Sequence, residues 1–224
     1  SSRLQKAIYS TSTPTPQNES KRLKVLWQYD VLDTVPEEVF DDLTELAARI
    51  CEAPIALISL VDEKRQWFKS KVGVSVSETS RDLSFCAYAI TQNDLFIVPD
   101  ATQDKRFANN PLVTSDPKIR FYAGAPLITP DGHALGTLCV IDKVPRELRL
   151  EQEQALRILA RHVVSQLELR RRSRELGDVR LQSARYKGDL EKARAELAST
   201  RRLLSQRKAN PAPAPRSKTS KKRK

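Results

Sequence analysis

The residues with the broadest chemistry in this chain are three cysteines and two histidines: Cys51, Cys86, Cys139, His133 and His162. The cysteines are odd in number and far apart, with no CxxC pair and no His-rich tract. A disulfide-stapled secreted domain carries more cysteines at closer spacing. A structural zinc site needs four ligands, which these scattered residues would supply only by coincidence, so no metal site is assigned. The plain reading is three small apolar side chains packed in a reducing compartment. The sharper readings are a reactive thiol or a covalent attachment point. Charge is the other chemical resource. Of the net +11, eight charges fall between Arg207 and Lys224, a stretch with no acid. Arg216, Lys218, Lys221, Lys222, Arg223 and Lys224 are its polyanion-binding candidates, since basic ends neutralise phosphates and release counterions. No aromatic follows Leu203, so nothing would stack on bases and nucleic-acid binding would be nonspecific. Anionic lipid headgroups would attract the same charges, and a solubility tail without a partner is the bland alternative. A further cluster, Arg170, Arg171, Arg172 and Arg174, reads as a solvated junction or a contact for an acidic partner.

The chain of 224 residues is 39% hydrophobic and 30% charged, too apolar for a wholly disordered protein. No apolar run approaches the roughly 18 residues of a membrane span. The first residues, Ser1 to Lys6, lack the apolar stretch of a secretory signal. The expectation is a soluble cytoplasmic protein in four parts. Residues 1–18 form a mobile Ser/Thr/Pro/Gln-rich arm, 19–168 a globular domain, 169–206 an extended helix, and 207–224 a disordered Pro/Ala/Lys-rich basic tail.

Within the globular part, Asn18 or Ser20 can cap a helix carrying Leu23, Leu26 and Tyr29. Thr34 can cap a second one, in which Phe40, Leu43, Leu46, Ala47 and Ile50 line one face. The continuous β-rich run 54–61 predicts a buried central strand, and the more alternating 66–72 a strand nearer an edge, joined by a hairpin over 62–65. A short helix follows over 83–91, then a strand over 95–98 and a long polar loop over 100–115 with a helical turn around Phe107. Strands over 120–128 and 134–141 flank Pro130-Asp131-Gly132, a hairpin-turn signature. A long helix starts near Glu147 and carries Leu156, Leu159, Val163 and Leu167. This order predicts an α+β fold, with helices packed on an antiparallel sheet.

The run VLDTVPEEVFDDLTELAARICEAPIALISLVDEKRQWFKSKVG is similar to the start of many bacterial GAF domains. RDLSFCAYAI, VPDATQDKRFANNPLV and IRFYAGAPLITPDGHALGTLCVID match the rest in order. The resemblance covers residues 19–168. It implies a six-stranded antiparallel sheet with helices on both faces and a small-molecule pocket under a lid of helix and loop. It also implies a sensory or dimerising module of the kind found beside histidine kinases and diguanylate cyclases. By position in the family, the lid draws on Asp82, Ser84, Phe85, Cys86, Asp100, Arg106 and Phe107. The facing strands offer Trp67, Phe121, Ala123 and Cys139. Each has a plainer reading: the aromatics as core, Asp82 as a helix cap, Asp100 as a turn residue, and Arg106 as the partner of a loop carboxylate. Cys86 is followed by Ala87 rather than His, which argues against a bilin, and the Asn-Lys-Phe-Asp type signature of cyclic-nucleotide GAF domains is absent. Methionine-sulfoxide reductases of this family use cysteines on nearby loops, whereas Cys51 falls on a helix and Cys139 in a strand. Cys86, near a helix start, is the candidate thiolate, but the sequence reveals no resolving partner. The cofactor is left unknown.

From Leu176 the spacing turns heptad. Leu176, Val179, Ser183, Tyr186, Leu190, Ala193, Leu197, Thr200 and Leu204 step by three and four. Leu176, Val179, Tyr186, Leu190, Leu197 and Leu204 are the dimerisation candidates. The expectation is a noncatalytic, dimeric GAF signalling module that passes a change in the lid to a partner protein. The alternatives are a nucleic-acid-associated protein in which the domain dimerises basic tails, and a redox sensor or enzyme using Cys86.

Overall fold

The computed structural model describes residues 13–209. The arm over 1–12, the last residues of the tail and all six polyanion candidates lie outside the described residues. The chain divides into two units, residues 1–172 and 173–224.

The first unit is built on six strands: β1 (Ile55–Val61), β2 (Arg65–Val72), β3 (Glu78–Ser80), β4 (Phe96–Val98), β5 (Phe121–Ile128) and β6 (Ala134–Asp142). They lie in the order β3-β2-β1-β6-β5-β4, each neighbouring pair antiparallel. β1 is buried along its whole length, as its run of six apolar residues with the single polar Ser59 requires of a strand covered on both faces. The 62–65 connection is a hairpin closed by Asp62 N–H donating to the Arg65 carbonyl at 2.8 Å. At the β5–β6 turn Thr129 N–H donates to the His133 carbonyl at 2.9 Å, and Gly132 takes the left-handed φ of +80° that this turn needs. The sixth strand, β3, is short and polar, and no alternation in its sequence announces it.

The helices are α1 (Glu19–Gln28), α2 (Glu38–Cys51), α3 (Phe85–Ala89), α4 (Pro111–Thr114) and α5 (Leu150–Ala209), with a 3-10 turn over Arg81–Leu83. Three boundaries differ from expectation. Thr34 does not cap α2; its hydroxyl donates to the Val31 carbonyl at 2.7 Å, and the helix starts four residues later. The expected 83–91 helix is interrupted at Ser84. That residue is extended and accepts the Ala87 N–H at 3.2 Å, so it caps α3 in place of Asp82. α5 begins at Leu150, not near Glu147. Gln152 reaches back to accept the Arg149 N–H at 3.0 Å while Arg149 O accepts the Gln152 N–H, a reciprocal cap that fixes the start.

Two cores sandwich the sheet. On one face α1, α2 and the first turns of α5 pack Leu26, Phe40, Ala47, Leu156, Val163 and Leu167 against Ile58, Leu127 and Leu138. On the other, α3 and the loop after β4 pack Phe85, Cys86, Ala89 and Phe107 against Leu57, Tyr122 and Cys139. A bulge at Lys69, where Ile58 pairs with Ser70 but Ser59 with Phe68, lets consecutive residues face α2. Ser70 Oγ donates to Asp41 at 2.6 Å. Lys69 Nζ, fully buried, reaches Glu37 at 2.6 Å, Thr34 Oγ1 at 2.9 Å and the Val35 carbonyl at 2.8 Å. A buried ammonium with three acceptors is satisfied.

In the second unit, Leu176, Val179, Tyr186, Leu190, Leu197 and Leu204 are more than half exposed in the single chain. No helix among the described residues is long and apolar enough to cross a membrane.

Candidate functional site

The expected pocket residues are divided by the sheet. Strand alternation sends successive side chains to opposite faces. Cys139 on β6 faces the lid, and its pairing with Gly124 puts Gly124 and Tyr122 on that face too. Phe121 and Ala123 therefore point the other way, into the helix-side core, as does Trp67 on β2. Their assignment as pocket wall is corrected on that ground. Tyr122 takes the place expected of Phe121.

Under the lid, aromatic rings fill the space. Phe85 and Phe107 stack with centroids 4.0 Å apart, and Phe85 stacks on Tyr122 at 5.3 Å. Tyr122 lies across Gly124, whose missing Cβ leaves room for the phenol. At the rim, Arg106 lies over the Phe96 ring at 4.8 Å and holds Asp104 through Nε at 2.9 Å. Asp100 folds its own loop, accepting the Thr102 N–H at 2.9 Å and its hydroxyl at 2.7 Å. Asp82 is exposed and lies away from this core, where its backbone carbonyl accepts from Thr13.

Polar groups gather at the centre of this otherwise apolar layer. Cys86 Sγ and Cys139 Sγ are 3.9 Å apart. Thr137 Oγ1 lies 3.2 Å and Tyr122 Oη 3.4 Å from Cys86 Sγ. Ser84 and Ser59 both donate to Gln66 Oε1, at 2.5 and 3.3 Å, and Gln66 Nε2 donates to Thr79 Oγ1 at 2.6 Å. All of these groups except Thr79 belong to residues buried in the domain. Burial opposes ionisation of Cys86, but the Cys139 thiol and the Thr137, Tyr122 and Ser59 hydroxyls converge on its sulfur and hold its pKa below the ordinary thiol range. Cys139 is pushed well above that range, first by its hydrogen bond with Cys86 and then by burial. Cys51 lies on the opposite face of the sheet, its thiol pushed up to about 11 by burial. Sequence reasoning singled out Cys86 and Cys139 but missed Tyr122, Thr137, Ser59 and Gln66. Strand register alone would have found Tyr122 and Thr137.

A second feature lies on the outer surface of the helix layer. There Leu43, Leu46 and Ile50 of α2 and Ala155, Ile158 and His162 of α5 line a shallow apolar groove.

An antiparallel six-stranded sheet, helices on both faces and a lid-covered inner layer define a class of α+β fold. The profile described as the GAF domain matches residues 35–167, and the chain belongs to that family. It is 46% identical over 143 residues to a cyclic di-GMP phosphodiesterase of Pseudomonas aeruginosa, a match covering 64% of this chain and 24% of that protein. The chain thus spans about a quarter of the curated relative it matches. Two solved GAF domains from phosphoenolpyruvate-protein phosphotransferases share the fold. The Acinetobacter domain is 16% identical with a TM-score of 0.51, over 69% of this chain and 95% of that one. The Coxiella burnetii domain is 17% identical with a TM-score of 0.50, over 70% and 98%. The expectation that the chain is not an enzyme is overturned by its relative, which is named for an enzymatic activity. A sensory or signalling GAF module is the role these findings support.

Proposed function

We propose that this chain is a signalling module in the control of cyclic di-GMP turnover and that it works as a parallel dimer along α5. The link to cyclic di-GMP comes from the Pseudomonas relative. The dimer is carried by a register. Counting back in heptads from Leu176, the seam positions are Arg172, Leu169, Ser165, His162, Ile158 and Ala155, so one charged residue, Arg172, interrupts the seam. Three of these, Ala155, Ile158 and His162, line the apolar groove of the first unit with Leu159 at its floor, while Leu156 and Val163 are buried against the sheet. A second copy of the chain is the one partner that presents the same heptads in the same frame. Charges fit a parallel pair: Asp189 of one copy faces Arg194 of the other, and Glu196 faces Arg201. The seam beyond Leu176 is weak by itself, with Ser183, Ala193 and Thr200 in it and Gly177 and Gly188 each costing about 1 kcal/mol against Ala. The groove supplies the additional apolar contact. A small molecule entering beneath the lid would displace Phe85 and Phe107, and the sheet would pass that change to the seam helix.

Sedimentation of the full chain tests the dimer. Wild type is expected to be dimeric at micromolar concentration. Ile158→Glu with Leu190→Glu is expected to sediment as a monomer, weakened at least a hundredfold, with unchanged helical circular dichroism. Both side chains are about half exposed in the single chain, so the domain itself tolerates the charges. A monomeric wild type, or a double variant that remains dimeric, overturns the reading. Exchanging the matching segment of the Pseudomonas enzyme for this chain tests the output: the double variant should change the rate of cyclic di-GMP hydrolysis relative to the unmutated exchange.

A further inference from the structure

We propose that Cys86 and Cys139 are a redox-active pair that closes to a disulfide when the protein meets a peroxide and reopens with a thiol reductant. The inference does not depend on the dimer. Its geometric basis is the approach of the two sulfurs to 3.9 Å within a sealed layer, although the residues stand 53 positions apart. Cys86 sits in the first turn of α3, and Cys139 faces it from β6, next but one to Thr137. The lid element is short, five residues of helix capped by one serine, and a local opening of it is the entry route the proposal requires. Peroxide is small enough to enter through an opening of that kind. The two sulfurs must then close the remaining gap to the bonded distance of about 2.05 Å.

The surroundings divide the labour between the two sulfurs. Cys86 is the nucleophile, because the hydroxyls of Thr137 and Tyr122 and the Cys139 thiol all lie against its Sγ. Its thiolate attacks one peroxide oxygen; an S–O bond forms and the O–O bond breaks. The departing hydroxide takes up the proton that Cys86 released and leaves as water. Cys139 sulfur then attacks the sulfur of the Cys86 sulfenic acid. An S–S bond forms, the S–O bond breaks, and the oxygen leaves as a second water carrying the Cys139 proton. Two thiols are oxidised by two electrons, and one peroxide is reduced to two waters. An external dithiol reverses the change by exchange and itself becomes the disulfide.

Cys51 is an internal control: it is equally buried but lies on the opposite face of the sheet. The experiment treats the full reduced chain with millimolar hydrogen peroxide, removes the peroxide, unfolds the protein and alkylates the remaining thiols before mass spectrometry. Wild type is expected to accept one alkyl group instead of three and to lose the mass of two hydrogens. Tryptic digestion should yield 82–105 linked to 121–143, while 50–64 carries the alkyl group. Cys51→Ala should show the same link and no free thiol. Cys139→Ala should halt at a Cys86 sulfenic acid trapped by dimedone. Three alkylated cysteines, under conditions that oxidise a small thiol peptide, overturn the proposal. So does a link that includes Cys51, or Cys86 driven to the sulfinic acid in wild type without any link. Because the decisive readout is made on wild type, poor folding of a variant leaves the test intact.

Discussion

Glu19→Gln is expected to cost about 3 kcal/mol of folding stability at neutral pH, the scale for breaking a buried ion pair from one side. Glu19 stands in the first turn of α1 and is the shared anion of two guanidinium groups. Arg22 holds it in a fork, Nε to Oε2 at 2.8 Å and Nη2 to Oε1 at 2.7 Å. Arg81 adds Nη1 to Oε1 at 2.5 Å. Both arginine side chains are at most 9% exposed. The same groups also tie the sheet together: Arg22 donates to the Val61 carbonyl at 2.7 Å, and Arg81 to the Asp62 carbonyl at 3.0 Å. A neutral amide of the same shape would leave two buried cations facing an NH2 group. Burial alone would raise the pKa of Glu19, but the two arginines lower it to about 2. A carboxyl depressed in the folded state stabilises fully above its ordinary value of 4.5, and the contribution fades as pH falls towards 2. The gap between wild type and Glu19→Gln should therefore be widest near pH 7 and narrow on acidification below 4.5. Urea titrations at pH 7 and pH 3 check it. The comparator is Asp33→Asn. That carboxylate also meets an arginine, at 2.6 Å, but is 63% exposed, so its loss should cost under about 1 kcal/mol. Equal costs for the two variants would show that burial does not set the strength of the Glu19 cluster.

The sheet was legible where one strand's chemistry is self-contained. The run Ile55–Val61 reads as a central strand because six of its seven side chains are apolar, Ser59 being the exception, and Pro130-Asp131-Gly132 reads as a turn because Gly132 must take a positive φ. β3 was not legible, since Glu78–Ser80 has no apolar face and exists only because Arg65–Trp67 offers it a ladder. The wall of the lid-face core failed for a related reason. Aromatic type marked Phe121 and Trp67, but which face a strand residue takes depends on pairing, and a shift of one residue exchanges the faces. The pairing of Gly124 with Cys139 settles that choice in favour of Tyr122. The sequence reveals no resolving partner for Cys86, although Cys139 reads as a residue of the strands facing the lid. The contact between them needs α3 folded over β6, and no local spacing encodes that. The heptad spacing from Leu176 onward is a property of the sequence, and its side chains are exposed in the single chain. The proposed extension to Ile158 was hidden, because Leu156 and Val163 of the buried face give the same stretch a different apolar spacing, and only exposure sets Ile158 apart from them.

Gly136→Ala is the second large effect, expected at about 3 kcal/mol, the upper end for inserting atoms into a packed core. Gly136 pairs with Leu60 at the centre of the sheet. A Cβ there would lie 1.9 Å from the Ser59 carbonyl oxygen and 2.8 Å from the Leu60 Cα. Both are backbone atoms of β1, a strand held on both sides, so no rotamer change relieves the clash and the β1–β6 ladder itself must move. Gly124→Ala makes a useful contrast. Its Cβ would lie 2.2 Å from the Tyr122 hydroxyl, the far end of a side chain, and tilting the phenol should limit the cost to about 1–2 kcal/mol. Gly132→Ala meets nothing within 4 Å, and its penalty, about 1 kcal/mol, comes only from the positive φ of the turn. The expected order in urea denaturation is therefore Gly136, then Gly124, then Gly132. A Gly136→Ala protein within about 1 kcal/mol of wild type would mean that the two central strands slide freely. It would also mean that Thr137, the next residue on β6, is not rigidly presented to Cys86. If the strands are rigid, Gly136→Ala should slow formation of the Cys86–Cys139 link as well as destabilise the fold, because the shift that accommodates the methyl moves the β6 backbone that carries Thr137 and Cys139. Gly132→Ala, at the far turn, should leave the rate of linking unchanged.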